Sequence, residues 1–166
     1  MPKLIKDKAI VEDSWTVIEA TETPETVDTS AGNIIVPLNV WQAQKDQIGS
    51  RKAEIGVWLN SDQLAEELGN DAAGFALVAV NFPGFMDGRG FTAARLLRER
   101  FGFEGELRAI GHVIRDQLFF LQRCGFNSFE MGSDIDLEAA LTSFDDFTET
   151  YQAACDQKLP LFRRRA

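Results

Sequence analysis

One histidine, one tyrosine and two cysteines are all that the 166 residues contain of those types. With no HExxH and no CxxC, a transition-metal site has too few ligands, so no metal is expected. Cys124 and Cys155 stand far apart and suggest no disulfide framework. Cys124 reads as a small hydrophobe on an inward helix face. Equally missing are GxGxxG, GxxxxGK[ST] and GxSxG. Their absence removes the usual signatures of dinucleotide binding, nucleotide phosphate binding and a serine nucleophile, and no cofactor is expected. Positive charge is short as well: 17 Lys and Arg against 26 Asp and Glu give a formal net charge of -9. That balance opposes non-specific contact with nucleic acid or an anionic membrane. The longest largely apolar run, 75–86, carries Asn81 and Pro83 and is too short for a bilayer span. "MPKLIKDKAIVEDSW" places charges where a secretory signal needs an apolar core. A cytoplasmic protein with neither nucleic acid nor membrane as partner is the expectation.

Apolar residues, at 45%, are enough for a buried core, and the length suits one domain. Residues 1–32 read as an N-terminal β extension and loop, 33–156 as a single α/β domain, and 157–166 as a basic tail ending in "RRR". Short β-rich runs at 34–38, 54–60, 75–82, 106–110 and 128–131 alternate with helical patterns at 40–48, 62–68, 92–101, 113–124 and 134–144. A last segment runs from Tyr151 to Cys155. Gly69, Gly102 and Gly125 each follow the last residue of a predicted helix, where a positive φ closes the turn. The alternation predicts an α/β fold with a parallel sheet of four to five βα units. Such a sheet is either open and flavodoxin-like or a partial TIM-barrel-like array, since too few units are present to close eight strands. Self-association would complete it, so a homo-oligomer is expected.

Ligands of parallel α/β folds gather where the strands end. That edge collects Asn60, Ser61, Asp62, Asn81, the "PGFMDGRG" loop, His112, Arg115, Asp116, Glu130 and Ser133. In the loop, Gly88, Arg89 and Gly90 could hold an anion or a partner. Equally, Asp87 and Arg89 could pair to stabilise their own turn, with Gly88 and Gly90 supplying unusual backbone angles. Arg108, inside a predicted strand, should be enclosed and need a carboxylate, and Asp87, Asp116 and Glu130 are the candidates. Arg115 joins the anion- or partner-binding set. Asp87, Asp116 and His112 are the candidate acids and bases, although Asp116 also suits the first turn of a helix. Phe82, Phe85, Met86 and Phe91 surround the loop and suggest an apolar rim for a partner.

The block from "FPGFMDGRGFTAARLLRERFGFEGELRAIG" through "VIRDQLFFLQRCGFNSFE" resembles a bacterial family known as domain of unknown function 934. "DGRG", "GELRA" and "RDQL…RCGF" are its most specific parts, and the likeness covers residues 34–146. Members often carry the label of an oxidoreductase of sulfite reduction. The resemblance therefore implies a cytoplasmic role in sulfur assimilation beside sulfite reductase, which becomes the expected partner. The multi-electron reduction of sulfite demands a redox cofactor, and two separated cysteines cannot ligate a four-cysteine cluster. The resemblance thus points to an accessory protein. Two other readings stay open: a small enzyme that binds an anionic sulfur or phosphorylated metabolite at the strand-end edge, and a structural dimer without ligand.

Overall fold

In the computed structural model, which describes residues 1–165, eight strands form one sheet. They are β1 (Lys3–Lys6), β2 (Ala9–Glu12), β3 (Thr16–Val17), β4 (Ile34–Pro37), β5 (Ile55–Leu59), β6 (Leu77–Phe82), β7 (Glu106–Gly111) and β8 (Ser128–Phe129). The helices are α1 (Leu38–Ile48), α2 (Ala65–Leu68), α3 (Arg89–Glu99), α4 (Leu118–Arg123), α5 (Leu137–Leu141) and α6 (Leu161–Arg164).

The spatial order is β2-β1-β8-β7-β6-β5-β4-β3. From β3 to β8 the strands are parallel and sequential, and β1 and β2 are antiparallel beyond β8. The sheet is therefore mixed, which corrects the expectation of a wholly parallel one. Sequential order also sets aside the flavodoxin-like alternative, whose strand order reverses within the sheet. Helix lengths are uneven, with four residues in α2 and six in α4.

The N-terminal segment is not appended to this sheet; it forms both of its edges. β2 lies at one end of the order and β3 at the other, yet only Asp13, Ser14 and Trp15 join them. Eight flat strands at ~4.8 Å spacing would span roughly 34 Å. Three linking residues reach at most about 14 Å from strand to strand. The sheet must curl until its edges face one another.

Curling gives the sheet an outer and an inner face, and the period of two along each strand sorts the side chains. Ile34, Val36, Val57, Leu59, Val78, Val80, Leu107 and Ala109 point outward to Trp41, Leu97, Leu118 and Leu121 of the helices. Ile35, Trp58, Leu77, Ala79 and Ile110 point inward, where Trp15 and Val17 pack on them. Trp58 Nε1 donates to the Ile18 carbonyl at 2.8 Å, so the seam is also tied by a hydrogen bond. β6 lies between β5 and β7 and is apolar on both faces for this reason.

Gly69, Gly102 and Gly125 all have positive φ, as the sequence predicts. Gly90 serves a different end. A Cβ there would lie 2.8 Å from the Phe82 ring and 3.0 Å from Val80, so its smallness lets the start of α3 press onto β6. Neither it nor Gly88, with φ of -92°, supplies an unusual backbone angle. The helix predicted over 113–124 divides into a 3-10 turn at Arg115–Gln117 followed by α4. The tighter turn rotates the apolar stripe. A continuous 3.6-residue repeat over 113–124 would put Phe120 on the same inward stripe as Leu121; it is instead 57% exposed and rests on Phe91 with ring centroids 5.0 Å apart. The helix predicted over 134–144 becomes α5 and a 3-10 turn, starting where the Asp136 carboxylate accepts the Glu138 and Ala139 amides.

The segment from Tyr151 to Cys155 has no regular structure and is held mainly by polar contacts. Arg123 meets Asp156 at 2.7 Å and the Gln152 carbonyl, and Arg164 of the basic tail meets Glu149 at 2.8 Å. This cover buries Arg123, which the helical pattern places outward. No helix among the described residues is long and apolar enough to cross a membrane.

Candidate functional site

The "PGFMDGRG" loop leaves β6 at Phe82 and enters α3 at Arg89, on the edge where the parallel strands end. A tight turn forms as the Asp87 amide donates to the Gly84 carbonyl at 3.1 Å. Arg89 then closes on Asp87: Nε reaches Oδ1 at 3.0 Å and Nη2 reaches Oδ2 at 2.7 Å. The Arg89 amide also donates to Asp87 Oδ1, at 3.2 Å, and Nη2 donates to Ser61 Oγ at 3.1 Å. This clasp fastens the loop to the residues after β5. Beside it, Asn81 Nδ2 donates to Asn60 Oδ1 at 3.0 Å and joins the ends of β5 and β6.

Hydrogen bonds from Arg89, with Ser61 adding to them, hold the Asp87 carboxyl well below the usual carboxylate range. A carboxylate so acidic is a poor proton acceptor near neutral pH. Asp87 therefore stabilises its own turn. The clasp leaves Phe85 and Met86 directed to solvent, with Met86 90% exposed. Phe91 is half-buried between Phe82 and Phe120. Phe82 itself is buried in the outer core, so it supports the rim from below and cannot be part of it.

The other arginines do not join Arg89. Arg108 points inward from β7 and is 2% exposed. Its Nε and Nη2 donate to Glu106 Oε1 at 2.9 and 2.8 Å, and Nη1 donates to Asp13 Oδ2 at 2.9 Å. Lys6 adds a second cation to Glu106 at 2.6 Å. Burial alone would raise the Glu106 carboxyl, but Lys6 and Arg108 outweigh it and hold the group below its ordinary value. Glu130, on the same inner side, has no such support: burial pushes its carboxyl up, and Arg108 offsets this only in part. Ser128 is fully buried, and its hydroxyl beside the Glu106 carboxyl also helps to hold that group down. Arg115 turns away to the residues after α5, donating to Ser143 Oγ at 2.8 Å and Thr142 Oγ1 at 3.0 Å. Its guanidinium ties the 3-10 turn before α4 to the helical segment that follows α5.

His112 and Asp116 are exposed on the connection from β7 to α4. The His112 amide donates to the Phe82 carbonyl at 2.7 Å, which fixes the backbone there. Gly111 permits this approach, for a Cβ would fall 2.3 Å from Asn81 Oδ1 and its φ is +86°. No hydrogen bond links His112, Asp116 and Asp87 side chains among the described residues. The three candidate acids and bases therefore do not form one constellation.

Asp13 and Glu106 are the partners that sequence reasoning missed. Glu106 could have been found, because it stands two residues before Arg108 and so shares its face of the strand. Asp13 could not, since its place depends on the closure of the seam. Cys124 and Cys155 lie together beneath the C-terminal segment, with Cys155 Sγ 3.4 Å from the Cys124 carbonyl. Burial pushes the Cys124 thiol up to about 11 and raises Cys155 as well. Such thiols are weak nucleophiles at neutral pH. Among the described residues, no three His, Cys, Asp or Glu side chains are grouped as a metal site requires.

Comparison with curated proteins gives no match to this sequence. A family model matches residues 56–162, which takes in the Asp87–Arg89 clasp, Arg108 and both cysteines. The chain thus belongs to the family described as "Bacterial protein of unknown function (DUF934)".

Proposed function

We propose that this chain is a cytoplasmic accessory protein of sulfite reduction, which docks on the reductase through residues 83–89 and carries no redox cofactor itself. The observation that supports this reading is the clasped turn that holds Phe85 and Met86 in solvent. Aromatic and methionine side chains are enriched at the buried centres of interfaces. A turn already fixed by charge-assisted hydrogen bonds loses little further freedom on binding. The sulfite context rests on the family resemblance carried by "DGRG", "GELRA" and "RDQL…RCGF". On this reading a partial-barrel plan of βα units is the rigid frame that presents the loop. A small-anion enzyme is less well supported, because Arg89, Arg108 and Arg115 are each committed to different partners.

The test is affinity purification from the native host growing on sulfate, with tagged wild type and a Phe85→Ser/Met86→Ser variant. Sulfite reductase is expected with the wild type and absent with the variant, both chains having the same melting temperature. Absence of the reductase from both would overturn the proposal.

A further inference from the structure

A cavity of about 470 Å³ opens near the ends of the parallel strands, between the start of β1, the β2–β3 link with β3, and the residues after β8. Asp13, Trp15, Glu130 and Ser133 contribute to its wall, and Lys3 is an exposed member of the rim. Cavities of this size hold small organic ligands. Glu130 directly follows β8, and its amide donates to the Ala109 carbonyl at 2.9 Å. By the period of two it shares the inner face with Ser128.

The Glu130 carboxyl is open to the cavity and accepts no hydrogen bond from the described residues. No side chain among the described residues gives it a hydrogen bond or ion pair. Arg108 is near enough to be felt electrostatically, but Nε and Nη2 serve Glu106 and Nη1 serves Asp13. Asp13, the other carboxylate of the wall, is satisfied by Arg108 and by the Trp15 amide at 3.0 Å. A partly buried carboxylate without donors is unfavourable, and its raised pKa expresses that burden. A ligand group able to relieve it must carry N–H donors and positive charge. Trp15 adds a surface that attracts cations through its π face and accepts apolar groups. An anion would meet two carboxylates, and a neutral hydrocarbon would leave Glu130 unpaired.

We propose that this cavity binds a small primary ammonium compound, with its charged end on Glu130 and its apolar part against Trp15. The site is separate from the 83–89 loop and does not depend on the docking reading.

Thermal unfolding at neutral pH tests the assignment, with n-butylammonium chloride as probe and sodium butyrate and sodium chloride as controls. At 10 mM, n-butylammonium is expected to raise the melting temperature by about 3 °C, as a ligand of roughly millimolar affinity does. Butyrate and sodium chloride should give no such rise, and Glu130→Gln, which keeps the side chain's size, should abolish it. In a proton–nitrogen NMR titration of wild type, the Trp15 indole signal should shift saturably with the same probe. No melting shift with n-butylammonium, an equal shift with butyrate or in Glu130→Gln, or an unmoved Trp15 signal would each overturn the proposal.

Discussion

Arg108 Nη1 donates to Asp13 Oδ2 at 2.9 Å, joining two residues 95 positions apart in the chain. The contact places the β2–β3 link against the inner face of β7. It thereby joins the seam of the curled sheet to its middle. Glu106 and Lys6 extend the cluster from β7 to β1. Closure of the sheet and compensation of its buried charges are thus one arrangement.

Replacement of Arg108 by Met should leave Glu106 with Lys6 alone and Asp13 without its cation. Removing one partner of a buried pair is expected to cost about 3–5 kcal/mol. Urea denaturation would read this as a lower midpoint. A loss below about 1 kcal/mol would mean that the seam is held by Trp15 and Val17 without electrostatic help.

Gly111→Ala and Gly102→Ala separate backbone strain from collision. Both glycines have positive φ, but a Cβ at Gly102 meets nothing within 4 Å, whereas at Gly111 it meets Asn81 Oδ1 at 2.3 Å. Gly102→Ala should cost about 1 kcal/mol. Gly111→Ala should cost about 3 kcal/mol, because crowding adds to strain. Equal losses in denaturant titrations would contradict the close approach of β6 and β7 at this edge.

Glu130 should make stability depend on pH in a defined sense. Its folded pKa lies above the ordinary 4.5, because burial disfavours the charged form. The stabilisation associated with its proton is complete below the ordinary value and is lost as pH rises through the folded one. Glu130→Gln should therefore be more stable than wild type at pH 7, with the difference vanishing below about pH 4. Paired urea titrations at the two pH values would show it. A constant difference at both would refute it.

Cys124 should resist alkylation in the folded protein. A thiol raised to about 11 is almost wholly protonated near neutral pH, and the thiolate is the reacting form. Iodoacetamide labelling followed by mass spectrometry should be slow at pH 7.5 and should quicken as pH rises. Rapid labelling at neutral pH would restore a case for thiol chemistry.

Much of this architecture could be read from local patterns. Each strand of the β4–β8 run falls on one predicted apolar segment, β7 running one residue past its end, and the three helix-closing glycines adopt positive φ. Those features are set by residues close in sequence. What escaped prediction is set by distant closure. β2 and β3 take opposite edges because the whole sheet curls, and nothing within residues 1–17 states where the seam will meet. Arg108 illustrates both cases. Its place in a buried strand required a carboxylate, and the same-face Glu106 was open to inference, but Asp13 was not. Phe120 failed for a smaller reason, a 3-10 turn that rotated the stripe behind it. At the loop, the Asp87–Arg89 pairing was foreseen as one of two alternatives, while its attachment to Ser61 needed the juxtaposition of β5 and β6.

Commitment of Arg89, Arg108 and Arg115 to internal partners predicts that millimolar sulfate, sulfite or phosphate leaves the melting temperature unchanged. A saturable rise, lost in Arg89→Ala, would favour the small-anion enzyme over the docking protein.

Calorimetric titration of purified sulfite reductase with this chain tests the docking account most directly, using wild type beside Phe85→Ser/Met86→Ser. Surface substitutions of this kind should alter stability by no more than about 0.5 kcal/mol. The account predicts saturable binding by the wild type and at least about a tenfold weaker affinity for the variant, as expected when interface anchors are removed. Absence of wild-type binding, or equal affinity for the two, would contradict it.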